Sequence, residues 1–173
     1  MFSKVLNILI VTILIGYAGY FIYKMPKYNK GEEAPDFEST LIDGSTFHFS
    51  DLRGDIVLLD FWGSWCGPCR KENPYLVTLY QKYGQKNQDL KTGFHIVSVA
   101  VESNATGWKN AIQRDRLVWP FHIYEEGRFK SPIVKMYGIK EIPTKYLIDS
   151  DGNVVMINPN FKEIDTYLAD NLK

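Results

Sequence analysis

The chain opens on an unbroken apolar run. Val5 to Tyr23 is 19 residues long, and Asn7 and Thr12 are its only clearly polar side chains. At 1.5 Å per residue a helix of that length reaches about 28 Å, close to the ~30 Å hydrocarbon core of a bilayer. From 25 to 34 the pattern turns polar and predicts a short tether with a reach of at most ~35 Å. Beyond it, 37–41 and 45–49 flank Asp43-Gly44 and predict a β-hairpin. The stretch 56–62 is apolar apart from Asp60 and reads as a buried central strand. A helix is predicted over 66–83, with Leu76, Leu79, Tyr80 and Tyr83 on one face. A second buried strand follows over 94–101. Next come a helix over 104–116, with Trp108, Ala111 and Ile112 inward, and a short strand over 121–124. A helical turn over 131–137 ends at Gly138. The segments 144–149 and 153–157 form a hairpin across Asp151-Gly152, and 162–172 is the closing helix. The polar, lysine-rich stretch 84–93 reads as a surface loop or an extra turn. Strands alternating with helices, closed by a hairpin, give an α/β architecture with a mixed central sheet flanked by helices. The plan is an anchor over 1–24, a tether over 25–34 and one domain over 35–173.

Charge refines this plan. The formal net charge of the 173-residue chain is zero, which argues against a nucleic-acid partner. Lys4, Lys24, Lys27 and Lys30 lie before residue 31 with no acid among them, so residues 31–173 hold 16 basic and 20 acidic groups, a net of −4. A cleaved signal peptide is the competing reading of the apolar run, since Gly16 to Gly19 offers small residues. Tyr20 to Tyr23 carries the run past them, and Tyr17, Tyr20 and Tyr23 suit interfacial anchors, so we read an uncleaved span. Lys4 on one side against Lys24, Lys27 and Lys30 on the other leans toward a cytoplasmic domain by the positive-inside rule.

The chemistry is concentrated in Trp65-Cys66-Gly67-Pro68-Cys69, which holds the only two cysteines. A C-x-x-C between a strand and a helix is the setting of a thiol-disulfide redox site. The first cysteine meets the unpaired amides and positive dipole end of the helix, which favour a thiolate. Gly67-Pro68 keeps the turn tight and removes one backbone donor. Half of a structural zinc site is the plain alternative. Zinc takes four ligands, and His48, His95 and His122 are not spaced to supply the others, so no metal is expected.

Leu59 to Cys69 resembles the active-site signature of thioredoxin, and Pro74 matches the proline that kinks its active-site helix. Glu141-Ile142-Pro143-Thr144 resembles the cis-proline loop that faces the cysteines in that fold. Ala34-Pro35-Asp36-Phe37, Asp43-Gly44-Ser45 and Leu52-Arg53-Gly54 are similar to the added N-terminal hairpin of the membrane-anchored TlpA/ResA group. The resemblance covers roughly residues 34–171. It implies a thioredoxin fold with an added N-terminal β-hairpin, preceded by one transmembrane helix. It also implies a domain held on the outer face of the cytoplasmic membrane, against the lysine count.

The expected catalytic set under this resemblance is Cys66, Cys69, Asp60 and Glu72. Cys66, usually the more exposed of the pair, attacks, and Cys69 resolves the mixed disulfide. Asp60 matches the buried aspartate behind the second cysteine. A strand-end aspartate capped by a backbone donor is its plain alternative. Glu72 matches a C-x-x-C-x-x-E pattern in which the glutamate tunes cysteine acidity. Its alternative is a solvated acid favoured by the helix dipole. Trp65, Gly67, Pro68, Ile142 and Pro143 are the expected substrate-contacting surface. No cofactor is expected beyond the Cys66–Cys69 disulfide. The expected partners are a disulfide-bearing client, such as an apocytochrome, and an upstream membrane thiol reductant, with the protein itself a monomer. Two other chemistries stay open: a peroxiredoxin-like thiol peroxidase, and a redoxin-type copper-delivery protein, for which the cysteine spacing is one residue short.

Overall fold

The computed structural model describes residues 2–24, 26–84 and 92–172. α1 (Phe2–Lys24) precedes a hairpin of β1 (Glu38–Thr40) and β2 (Thr46–His48). Then come β3 (Ile56–Trp62), α2 (Gly67–Tyr83), β4 (Phe94–Glu102), α3 (Ala105–Arg114) and β5 (Phe121–Glu126). α4 (Pro132–Met136), β6 (Thr144–Ile148), β7 (Val154–Ile157) and α5 (Phe161–Asn171) complete the chain. The main sheet runs β5-β4-β3-β6-β7, with β4 and β5 parallel to β3 and β6 antiparallel to it. This is the mixed α/β thioredoxin fold with an N-terminal β-hairpin and one N-terminal apolar helix. Most of the expected loop over 84–93 lies outside the described residues.

Several boundaries differ from the expected ones for local reasons. The helix expected from residue 66 starts at Gly67, because Cys66 holds extended backbone angles and caps it. The helix expected over 104–116 is shorter. Asn104 is its N-cap, accepting the Gly107 N–H at 3.0 Å, and Arg116 takes a positive φ of 57°. The short strand expected to end at 124 runs on to Glu126 along β4. The hairpin's second strand stops early at a 3-10 turn over Phe49–Leu52, where the Asp36 carboxylate accepts the Ser50 N–H at 2.8 Å.

Strand alternation sorts the sheet into two cores. Val57, Leu59 and Phe61 pack with Phe37, Phe47, Val134 and Tyr137 on the hairpin and α4 side. Ile56, Leu58 and Trp62 pack with Leu76 and Leu79 of α2, Trp108 of α3 and Ile164 of α5. Residues 26–34 are stitched to the fold. Tyr28 rests on Tyr137 with ring centres 5.8 Å apart and donates to the Met136 carbonyl at 3.1 Å. Gly31 and Glu32 exchange backbone hydrogen bonds of 2.8 Å with Val154, which covers the free edge of β7.

Tyr137 is the hub of the first core. Its ring meets Phe37, Phe61 and Tyr146 as well as Tyr28, and its hydroxyl donates to the Pro35 carbonyl at 2.7 Å. A Tyr137→Ala variant should lose about 3–5 kcal/mol of stability. Tyr137→Phe, which leaves only that carbonyl unpaired, should lose about 1–2 kcal/mol. Thermal unfolding of the two variants checks the order, and equal losses would assign the effect to the hydroxyl instead of the ring.

Candidate active site

β3 delivers the chain to the site and α2 carries it away. Cys66 is the N-cap of α2, and its sulfur accepts the Cys69 N–H at 3.2 Å. Pro68 lies in the first turn, where the missing N–H breaks no helical bond. The two cysteines are joined in a disulfide with Cα atoms 5.3 Å apart. Cys66 was expected to be the exposed member. It is 5% exposed and Cys69 2%, so both sulfurs are nearly closed off in this oxidised form, with Cys66 the nearer to solvent. The Ile142–Pro143 peptide bond is cis, and the Ile142 carbonyl oxygen lies 3.8 Å from the Cys66 sulfur.

The loop before Cys66 is tied to the end of β4. Buried Glu102 accepts the Ser64 N–H, and the Trp65 indole donates to the Val101 carbonyl at 2.9 Å. Trp65 keeps 45% of its surface exposed beside the disulfide, with the Arg128 guanidinium 4.8 Å from its ring centre. Gly63 permits this packing, since a Cβ there would sit 2.8 Å from the Trp65 indole nitrogen and 3.2 Å from the Ile142 side chain. The first turns of α2 are clamped to the end of α3. Arg70 pairs with Asp115, and buried Asn73 donates to the same carboxylate at 2.7 Å. Pro74 lies inside the helix, where it removes the N–H that would pair with Arg70.

The acids lie on the side of the sheet that α2 covers. Asp60 belongs to the Ile56–Leu58–Trp62 face of β3 and is 3% exposed. Ser98 of β4 and Lys145 of β6 are its register partners, and His122 of β5 is the register partner of Ser98. A polar row therefore crosses four strands beneath α2. Burial first, and the Glu72 carboxylate second, push Asp60 up to about 7, while Lys145 and the Ser98 hydroxyl pull it down. Glu72 was expected either beside the cysteines or in solvent. It is partly exposed and pairs with the Lys145 ammonium at 2.5 Å. His122 is stacked on Trp119, and burial holds it down to about 4, so it stays neutral near pH 7.

Trp65, Gly67, Pro68, Ile142 and Pro143 are thus gathered about the disulfide, and Asp60 is buried on the face of the sheet that α2 covers. Sequence reasoning missed Lys145, Glu102 and the Arg70–Asp115 clamp. Lys145 left a signal, as a lysine inside the apolar run that follows Ile142-Pro143-Thr144. The other two left none, because their partners are 38 and 45 residues away.

A C-x-x-C disulfide at a helix start, faced by a cis-proline loop on this sheet, defines a thioredoxin-fold thiol-disulfide oxidoreductase. Comparison with known proteins agrees. Residues 30–157 match the AhpC/TSA family, and the chain belongs to that family. It is 36% identical over 154 residues to thiol-disulfide oxidoreductase ResA of Bacillus thuringiensis subsp. konkukian, covering 86% of this chain and 83% of that one. The ResA of Geobacillus thermodenitrificans is 32% identical, with 88% and 85% covered. The thioredoxin domain of a thiol-disulfide oxidoreductase from Bacteroides vulgatus superposes with a TM-score of 0.73 at 26% identity, covering 85% of this chain and all of that one.

The buried carboxyl group makes stability depend on pH. Asp60 holds its proton in the fold up to about 7, against 3.8 for a free side chain. Its neutral form is therefore the stabilised one. That contribution is whole below about pH 4 and is lost as pH rises to 7. The oxidised Asp60→Asn variant should match the wild type near pH 4 and exceed it by a few kcal/mol above pH 7. Thermal unfolding across that range tests this, and a gap that does not change with pH would show that Asp60 does not titrate there.

Proposed function

We propose that this chain is a membrane-tethered reductant of disulfides in exported proteins, acting on the outer face of the cytoplasmic membrane. The observation that carries the chemistry is the Cys66 sulfur at the N-cap of α2, bonded to the Cys69 amide and facing the Ile142–Pro143 loop. In the reduced enzyme the Cys66 thiolate attacks a client disulfide. A Cys66–client bond forms, the client S–S bond breaks and one client thiolate leaves. Asp60 takes the Cys69 proton, and Cys69 attacks the Cys66 sulfur, closing the disulfide and releasing the second thiolate. Two electrons pass to the client, and no cofactor is needed beyond the cysteine pair. Trp65 and the backbone of Ile142 offer an extended client an aromatic shelf and a carbonyl.

The resemblance to the TlpA/ResA group supports an oxidised apocytochrome cysteine pair as the client, and a monomeric enzyme. α1 supports the tether, because it is long and apolar enough to cross a bilayer and its side chains from Lys4 to Lys24 are exposed. The membrane end of α1 also supports a reductant that sits in the bilayer. Lys140 donates to the Tyr23 carbonyl and Lys24 pairs with Glu141, next to Ile142 in the loop that faces Cys66. Lys24 and Lys27, which weigh against an outer-face domain in the charge rule, are spent here on domain contacts: Lys27 donates to the Met136 carbonyl at 2.8 Å.

Three measurements check the reading. Purified full-length protein should reduce insulin with dithiol as the electron source, and Cys66→Ser should abolish turnover. Turnover surviving in Cys66→Ser but lost in Cys69→Ser would reverse the assignment of the nucleophile. A Cys69→Ala variant should accumulate mixed disulfides, and mass spectrometry of the trapped species names the clients. In intact cells a membrane-impermeant thiol reagent applied after mild reduction should label Cys66. Labelling seen only after lysis would put the domain inside.

A further inference from the structure

The polar row under α2 contains one group to which the thiol chemistry gives no task. Lys145 is the second residue of β6 and is 4% exposed. Asn158 pins its backbone from both sides, accepting the Lys145 N–H at 2.8 Å and donating its own N–H to the Lys145 carbonyl at 2.7 Å. The ammonium meets Glu72 of α2 at 2.5 Å and lies 5.7 Å from the centre of the Phe161 ring at the start of α5. Directly across the β3–β6 ladder stands Asp60. Glu72 is three residues past Cys69 on α2, and Asp60 faces α2 from below. One cation therefore stands beside two acids on the α2 side of the sheet, paired with Glu72 and in register with Asp60. A buried ammonium is retained only where charged partners offset its desolvation. One carboxylate is enough to balance it, and Glu72 has the direct contact.

We propose that Lys145 is a positioning residue of the redox site: its ammonium holds Glu72 in an ion pair and leaves Asp60 as the carboxyl group that exchanges a proton with Cys69. The proposal rests on the dithiol reading and deepens it. The groups that face Asp60 are Lys145 from β6, Glu72 from α2 and Ser98 from β4, with His122 of β5 one register step beyond. His122 is neutral near pH 7, so Lys145 and Glu72 set the local charge. Without the lysine, the Glu72 carboxylate would act on Asp60 with no cation between α2 and the sheet to offset it. Their negative charge would raise the pH at which the Cys66 thiolate forms.

The test is the rate of Cys66 alkylation by iodoacetamide against pH, in reduced full-length protein in detergent, with the site read by mass spectrometry. Lys145→Met should move the midpoint upward by about one unit or more, a roughly tenfold loss of rate below it. Glu72→Gln, which frees the lysine to face Asp60 alone, should move it downward. The double variant Lys145→Met/Glu72→Gln should return toward the wild type, and Lys145→Arg should stay near it. A Lys145→Met profile superimposed on the wild type would overturn the proposal. So would a double variant no nearer the wild type than Lys145→Met. If Lys145→Met does not fold, Glu72→Gln decides, and an unmoved midpoint there is equally fatal. Alkylation needs no client, so failure of the wild type to reduce insulin would strike the functional reading alone.

Discussion

The fold is built around a carboxyl group in the middle of its central strand. All seven residues of β3 are buried, and six of them are apolar. Asp60 interrupts the series on the side that α2 covers. Leaving an ionised carboxylate in such a place costs far more than one hydrogen bond returns. The surroundings resolve this by protonation and by proximity to a cation, and both depend on the register of three strands. A slip of one residue along β3 would turn Asp60 into the aromatic core around Tyr137 and take Phe61 out of it. The register that buries the apolar residues correctly is therefore the register that sets Asp60 between Ser98 and Lys145.

The same geometry explains the division of labour between the two cores. The side bearing Phe37, Tyr137 and Tyr146 is rich in aromatic contacts, and the Tyr137 and Tyr146 hydroxyls and the Glu125 carboxylate pair with backbone groups at Pro35, Tyr137 and Ile133. It holds the added hairpin, α4 and residues 26–34 together. The opposite side carries the polar row, the disulfide and the helix start. Anchor and chemistry thus lie on different layers, joined at the segment from Met136 to Pro143 that passes between them.

Much of this was legible in the sequence, because it is local. The period of the apolar residues marked every strand and helix to within a few positions. The Cys66–Cys69 spacing and Ile142-Pro143 marked the site. What stayed hidden was pairing at long range. Nothing near Glu102 says that it receives the Ser64 amide, and nothing near Asp115 says that it clamps Arg70. Tyr28 looked like part of a polar tether, although it is the aromatic side chain that seats the tether on Tyr137. Glu72 drew notice through its spacing from Cys69, but its partner is a lysine 73 residues later. Lys145 could have been flagged by the argument applied to Asp60, since a charge inside an apolar strand needs a partner. Two such charges, in strands that flank the same site, are each other's natural candidates.

The placement of residues 26–34 bears on how a chain with one N-terminal apolar helix can present a small active site. A free ten-residue tether would let the domain sample a hemisphere of ~35 Å radius, and the disulfide would meet the bilayer in few of those orientations. Here the length is taken up along the domain: Lys27 packs against Gly138, Tyr28 against Tyr137, and residues 31–32 pair with β7. The exposed ion pairs at Lys24 contribute little by themselves. The stitched backbone and the buried face of Tyr28 do the holding, and they fix which side of the domain follows the end of α1. That side is the loop from Gly138 to Glu141, which runs into Ile142 and Pro143 against Cys66. Sequence proximity in that loop becomes spatial proximity between the end of α1 and the redox centre, so their relation is a property of the folded domain itself.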